Sequence, residues 1–130
     1  MLARCVPRPL AFPRRLRLVR EADFARVYRE GSRARGEDLL VVVARNGLEH
    51  PRLGLSVGRS VWRSAVRRNR VRRVFREAFR LSRHDLPAGV DVVMIPARPR
   101  LEPRLEATRE ELLRLVAKAL AAPPRRREPR

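Results

Sequence analysis

One stretch constrains this chain more than any other: RRNRVRRVFREAFR, Arg67 to Arg80. It holds seven arginines and one acid, yet Val71, Val74, Phe75, Ala78 and Phe79 recur through it at helical spacing. At about 100° per residue these five form one stripe about 140° wide. Such a stripe is core, so the stretch is an amphipathic helix that must bury one side. On the far side Asn69, Arg73, Arg76 and Arg80 stack at i, i+4, i+7 and i+11, with Arg72 on one edge and Arg70 on the other. Only Glu77 offers acidic support at i±4, so the arginines repel one another unless something neutralises them. Asn69 sits mid-helix at a propensity cost of about 0.5 kcal/mol relative to Ala. An amide between guanidinium forks can hydrogen-bond a phosphate, a ribose hydroxyl or a base edge. A solvated basic face is the ordinary explanation of a charge run. Here the missing acids and the Asn favour a polyanion-binding face.

The rest of the composition agrees. A net charge of +18 on 130 residues is most easily tolerated by a folded domain whose partner is a polyanion, nucleic acid first. Apolar residues make up 44%, enough for one modest core, so the expectation is a single domain rather than disorder. Of the 32 basic residues only Lys118 is a lysine. Arginine grips phosphate bidentately and stacks on bases, which suits RNA or DNA, although a GC-rich genome would produce the same bias. The single Cys5 allows no disulfide within the chain and points to a reducing compartment. No apolar run approaches membrane-spanning length. The first twenty residues contain no acid, but Pro7, Pro9 and Pro13 interrupt any amphipathic helix and the segment lacks Ser, unlike a transit peptide. A cytoplasmic protein is expected.

Along the chain, residues 1–12 read as a flexible N-terminus, 13–121 as one nucleic-acid-binding domain, and 122–130 as a disordered basic tail. Glu21 to Glu30 places Phe24, Val27 and Tyr28 on one helical face, with Gly31 as its stop. LLVVVAR, Leu39 to Arg45, is a strand, and Asn46-Gly47 is a turn signal. RLGLSVG, Arg52 to Gly58, alternates Leu53, Leu55 and Val57 and reads as its antiparallel partner with one solvated side. Ser64 caps the arginine-rich helix, which should end near Arg83. Val90 to Ile95 is a further strand closed by Pro96, and Glu102 to Ala121 a second long helix with Leu105, Leu112, Leu115, Val116 and Leu120 inward.

These residues carry a resemblance. RNRVRRVFREAF, Arg68 to Phe79, resembles the RNR signature of the bacterial ribonuclease P protein subunit family. FPRRLRL (Phe12 to Leu18), DFARVYREG (Asp23 to Gly31), HPRLGLSV (His50 to Val57) and RHDLPAGVDVVMIPARP (Arg83 to Pro99) resemble the same family in order and spacing. The resemblance implies an α+β fold similar to the second domain of ribosomal protein S5. That fold is a four-stranded mixed sheet packed with helices, with a left-handed βαβ crossover carrying the RNR helix. General topology favours the opposite hand. It also implies a short extra strand near Ser32 to Arg35, which periodicity does not reveal.

The function implied is assistance to a ribozyme. The protein would bind one catalytic RNA and help it remove the 5′ leader of precursor tRNA, with Mg2+ held by the RNA activating the attacking water. Arg68, Asn69 and Arg70 match the motif, and Arg72, Arg73 and Arg76 continue it; the resemblance turns these toward the catalytic RNA. Arg59 and Arg63 match the basic approach to the helix, where the family typically has two adjacent basic residues and this chain has Arg59-Ser60. Trp62 is read as packing. Arg14, Arg15 and Arg17 match a basic segment able to reach either RNA. Phe24 and Tyr28, a core stripe on periodicity alone, match an aromatic pair that receives the single-stranded leader in a cleft. No cofactor motif belongs to the protein itself. His50 and His84 lack partner patterns, and Asp85 and Asp91 make no convincing metal site. A ribosomal or general RNA-binding protein of the same fold is the other class to weigh, while a protein-only nuclease would need a carboxylate cluster that is missing from the pattern.

Overall fold

The structure is a computed structural model that describes residues 14–122. The expected flexible segment 1–12, and all but the first residue of the expected tail 122–130, lie outside the described residues. After a 3₁₀ turn at Arg14–Leu16 the order is α1 (Glu21–Glu30), β1 (Ser32–Arg35), β2 (Leu39–Arg45), β3 (Arg52–Leu55), α2 (Ala65–Ser82), β4 (Val90–Pro96) and α3 (Leu105–Ala121). The extra strand is therefore present as β1. Ser64 caps α2 as expected, its Oγ accepting from the Arg67 amide at 3.3 Å. The last helix begins at Leu105 rather than Glu102, because the residue before Pro103 is disfavoured in helical conformation.

Strand order is β1-β2-β4-β3. β2 pairs antiparallel with β1 on one side and with β4 on the other. β3 pairs parallel with β4 at the edge, so the expected antiparallel pairing of β3 with β2 is wrong. Burial gives the reason. β2 and β4 carry buried residues on both faces, and each needs a strand on either side to satisfy its backbone. The shorter β3 suits an edge. Asn46 does not close a hairpin; its amide donates to the Gly89 carbonyl at 2.8 Å. Gly47, at φ 72°, turns the chain away toward the far edge. β3, α2 and β4 together form the parallel crossover that carries the RNR helix.

The two faces of the sheet differ. Val41, Val43, Leu53, Val92 and Met94 meet Val71, Phe75 and Phe79 of α2 and Leu112, Leu115 and Val116 of α3. Burying a phenylalanine such as Phe75 contributes about 2–3 kcal/mol. Among the described residues the opposite face is covered by α1 and by Leu18 before it; Val27 sits with Leu18 on Val42, Ala44 and Val93, with Phe24, Tyr28 and Ile95 half-buried around them. The second face of β3 is not solvated as expected, because Gly54 lies beneath Phe24; a Cβ there would sit 2.8 Å from Phe24 Cε1. Gly31 ends α1, but at φ −81° it supplies no left-handed turn. It is required by proximity instead: a Cβ would fall 2.9 Å from the Val43 carbonyl oxygen of β2.

A buried charge cluster locks α1 to the sheet. Asp91, at the start of β4, is fully buried. Arg52 of β3 donates to both its oxygens at 2.8 Å, and Asn46 Nδ2 donates to Oδ1 at 2.8 Å. Arg26 of α1 donates to Oδ2 as well. One carboxylate thus ties together α1, β3, β4 and the loop after β2. No helix among the described residues is long and apolar enough to cross a membrane.

Candidate nucleic-acid interface

The α2 stripe is buried as its spacing predicts, with Val71, Phe75, Ala78 and Phe79 inside and Val74 half-buried. Packing that stripe on the sheet forces the opposite side outward. Asn69, Arg70 and Arg73 are exposed, as are Arg59 and Arg63 in the approach to the helix. The flanking arginines have defined positions. Arg72 is half-buried, its Nη1 donating to Asn69 Oδ1 at 2.8 Å and its Nη2 to the Val57 carbonyl at 3.1 Å. Asn69 therefore keeps its amide N–H groups as donors while orienting its neighbour. Arg68 folds back, its Nη1 donating to the carbonyls of Trp62 and Arg63 at 3.0 and 2.8 Å. It braces the loop that presents Arg59 and Arg63. Trp62 packs as read from the sequence. Its Nε1 donates to the Leu101 carbonyl at 2.8 Å, and the Arg67 guanidinium lies 4.7 Å from its ring centroid.

Arg76 is half-buried, and its guanidinium is held below the ordinary arginine range, by burial first and then by the positive charges of Arg17, Arg72 and Arg73. It remains protonated at any physiological pH; the shift records crowding of like charges. Arg80 is different, since Glu77 accepts from its Nε and Nη2 at 3.0 and 2.5 Å. Arg67 lies 3.9 Å from Glu102, whereas Arg70 and Arg73 face no acid among the described residues, and this bare side of α2 stops at the Glu77–Arg80 pair.

The second expected site lies across the sheet. Phe24 and Tyr28 are one turn apart on α1 and both half-buried. Leu40 and Ile95, register partners on β2 and β4, are half-buried on the same face. Sequence reasoning missed the rim. Arg33 and Arg35 of β1 are paired with Val42 and Leu40, which places them on the α1 side of the sheet. The Arg33 guanidinium lies 5.8 Å from the Tyr28 ring centroid, and Arg35 Nη2 donates to the Ala97 carbonyl at 2.6 Å. The alternation Arg33-Ala34-Arg35, with Ala34 buried, was the signal available. Arg26 and Asp91 were missed as well, because nothing local joins α1 to β4.

Of the expected N-terminal contacts, Arg15 and Arg17 are exposed. Arg17 is bridged to Leu53 of β3 and shares a concavity with Phe24, Arg72 and Arg76. The side chain of Arg14 lies outside the described ones. Among the described residues no group of three His, Cys, Asp or Glu side chains is placed to hold a metal ion.

A mixed sheet with an arginine-rich helix packed on one face and a half-buried aromatic pair on the other defines a small, strongly basic α+β protein. The Ribonuclease P family model matches residues 12–120, and the chain belongs to the ribonuclease P protein family. A ribonuclease P protein component from Photobacterium profundum is 39% identical over 109 residues, covering 84% of this chain and 88% of that one. One from Salmonella newport is 44% identical over 86 residues, covering 66% and 71%. Among solved structures, the ribonuclease P protein of Thermotoga maritima matches with a TM-score of 0.69 at 34% identity, covering 78% of this chain and 96% of that chain. That of Staphylococcus aureus matches with a TM-score of 0.69 at 27% identity, covering 80% and 94%. The family decides between the two classes of function: the chain is a component of a ribonucleoprotein endoribonuclease of tRNA processing, rather than a general RNA-binding protein.

Proposed function

We propose that residues 13–121 act as one RNA-binding domain with two surfaces. The outward side of α2 and its approach (Arg59, Arg63, Arg68, Asn69, Arg70, Arg72, Arg73, Arg76) bind one catalytic RNA. The cleft of Phe24 and Tyr28 binds the 5′ leader of precursor tRNA, and Arg15 and Arg17 add contacts beside it. The polypeptide performs no bond cleavage. It supplies charge and shape, while Mg2+ held by the catalytic RNA activates the water in the cytoplasm, where precursor tRNA is matured.

One observation carries this reading: a half-exposed aromatic pair stands over the less covered face of the sheet, with Arg33 at its rim, while the unneutralised arginines of α2 lie beyond the other face. Stacking a base on an aromatic ring contributes about 1–3 kcal/mol and tolerates any sequence. A leader that varies from one precursor to the next needs that kind of site.

The test is Tyr28→Ala in the reconstituted holoenzyme. Affinity for precursor tRNA should fall by about 1–3 kcal/mol, with mature tRNA and catalytic-RNA binding nearly unchanged. Equal loss for both tRNAs, or a large fall in the circular-dichroism melting temperature, would return Tyr28 to the core. Purified RNA-free protein should not cleave precursor tRNA at any Mg2+ concentration.

A further inference from the structure

Among the described residues one non-glycine, Arg100, has a positive φ, 55°. It follows Pro99 in the turn after β4, at a position where a left-handed backbone favours Gly or Asn. An arginine there strains the backbone, and its side chain recovers nothing inside the protein. Arg100 is exposed, and its guanidinium makes no hydrogen bond or ion pair among the described residues. The turn is nevertheless held firmly. The Arg100 amide donates to the Val61 carbonyl at 2.7 Å, Trp62 Nε1 donates to the Leu101 carbonyl at 2.8 Å, and the Leu101 side chain is fully buried. The turn is thus docked on residues 58–63, the loop that presents the exposed Arg59 and Arg63. Arg68 holds the same loop from the α2 side, through the Trp62 and Arg63 carbonyls. The acid closest along the chain, Glu102, lies 3.9 Å from Arg67. Strain retained at an exposed cation, against a loop that already presents two more, marks a side chain whose use lies outside the protein.

We propose that Arg100 is a further contact to the catalytic RNA, taking a backbone phosphate beside those taken by Arg59 and Arg63. The basic surface thereby passes from α2 and its approach onto the turn after β4, a segment separate from both in sequence. The proposal rests on the reading of α2 and its approach as the catalytic-RNA surface.

The experiment measures binding of full-length Arg100→Gly to the transcribed catalytic RNA across a salt series, beside wild type. Glycine removes the guanidinium and the strain together, so binding and stability should part. Affinity should fall about tenfold, as for one charge-assisted contact, and the salt dependence should flatten by about one unit of slope. The melting temperature should stay at or above that of wild type. Lys118→Gln removes an exposed charge about 20 Å beyond the first residue of α3, and it should bind as wild type does. Undiminished binding by Arg100→Gly would overturn the contact. So would an equal loss in Lys118→Gln, a loss accompanied by a lower melting temperature, or a loss confined to the holoenzyme's affinity for precursor tRNA. Arg73→Ala run alongside separates the two readings. If it binds normally, the α2 surface itself fails; if it is weakened while Arg100→Gly is not, only the extension to the turn fails.

Discussion

Arginine serves opposite ends in two regions of this protein. Arg26 and Arg52 turn inward and converge on the fully buried Asp91. Arg70 and Arg73 turn outward and make no hydrogen bond or ion pair among the described residues. In the first region the Asp91 carboxylate holds the Arg52 guanidinium above its ordinary range, its hydrogen bond outweighing the cost of burial. In the second, Arg76 is held below its ordinary range, and every charge acting on it is positive. The same side chain is therefore a structural tie where an acid waits for it and an uncompensated surface charge where none does. Counting arginines separates nothing; locating the acids separates the two regions.

Breaking the inner region should give the largest effect. Asp91→Ala leaves Arg26 and Arg52 partly buried without their partner, and the expected loss of stability is about 3–5 kcal/mol, read from denaturant unfolding. A loss below about 1 kcal/mol would mean that the cluster does not tie α1 to the sheet.

Arg70→Ala and Arg73→Ala should do the reverse. Stability should stay within about 0.5 kcal/mol of wild type, while catalytic-RNA binding weakens by about 1–3 kcal/mol. The salt dependence of binding should flatten by about one unit of slope for each phosphate that is no longer neutralised. Normal binding by both variants at physiological salt would remove α2 from the RNA interface.

Arg68 sharpens the comparison because it combines an internal tie with a place in the basic motif. It stands in the RNR motif, yet its Nη1 is committed to the carbonyls of Trp62 and Arg63. Arg68→Ala should cost about 1 kcal/mol of stability and also weaken RNA binding, since the loop carrying Arg59 and Arg63 loses its brace. Weakened binding without any stability change would make it a plain phosphate contact.

The smallest effect belongs to Glu77. The hydrogen bond from Arg80 holds its carboxyl below the usual glutamate range, against a smaller opposing effect of burial. A depressed carboxyl contributes stability above its unfolded pKa and loses it as pH falls through the lower folded value. The Glu77 side chain is 41% exposed, so screening limits the contribution to about 0.5 kcal/mol or less. Glu77→Gln should be slightly less stable than wild type at neutral pH, and the gap should close on acidification below the glutamate range. A gap that widens in acid would show that the pair is not stabilising.

Much of the fold and of the basic face is legible in the residues alone. α1 spans the residues its Phe24, Val27 and Tyr28 spacing marks, β2 those of LLVVVAR, and α2 begins at the residue after Ser64. The exposed side of α2 follows from its buried stripe by geometry alone. The presence of β1 comes from family resemblance, since four residues with one buried alanine carry too little pattern to read. Arg33 beside Tyr28 was marked only by the alternation around the buried Ala34, and Asp91 at the hub of the charge cluster could not be read at all. Each acquires its role from a residue on another element.

What the sequence by itself determined is therefore what short-range periodicity encodes: which segments are helices and strands, which side of each is apolar, and that α2 presents uncompensated positive charge. What only the tertiary structure decided is which strands are neighbours and which charges meet. β3 looked like the partner of β2 because the two are adjacent along the chain and separated by a turn signal. β4, buried on both faces, takes the place between them, since its backbone donors and acceptors have to be satisfied on both edges. That exchange puts Arg52 beside Asp91 and Arg17 beside α2. Strand order is set by competition among all strands for the centre of the sheet, and no local window of residues contains that competition.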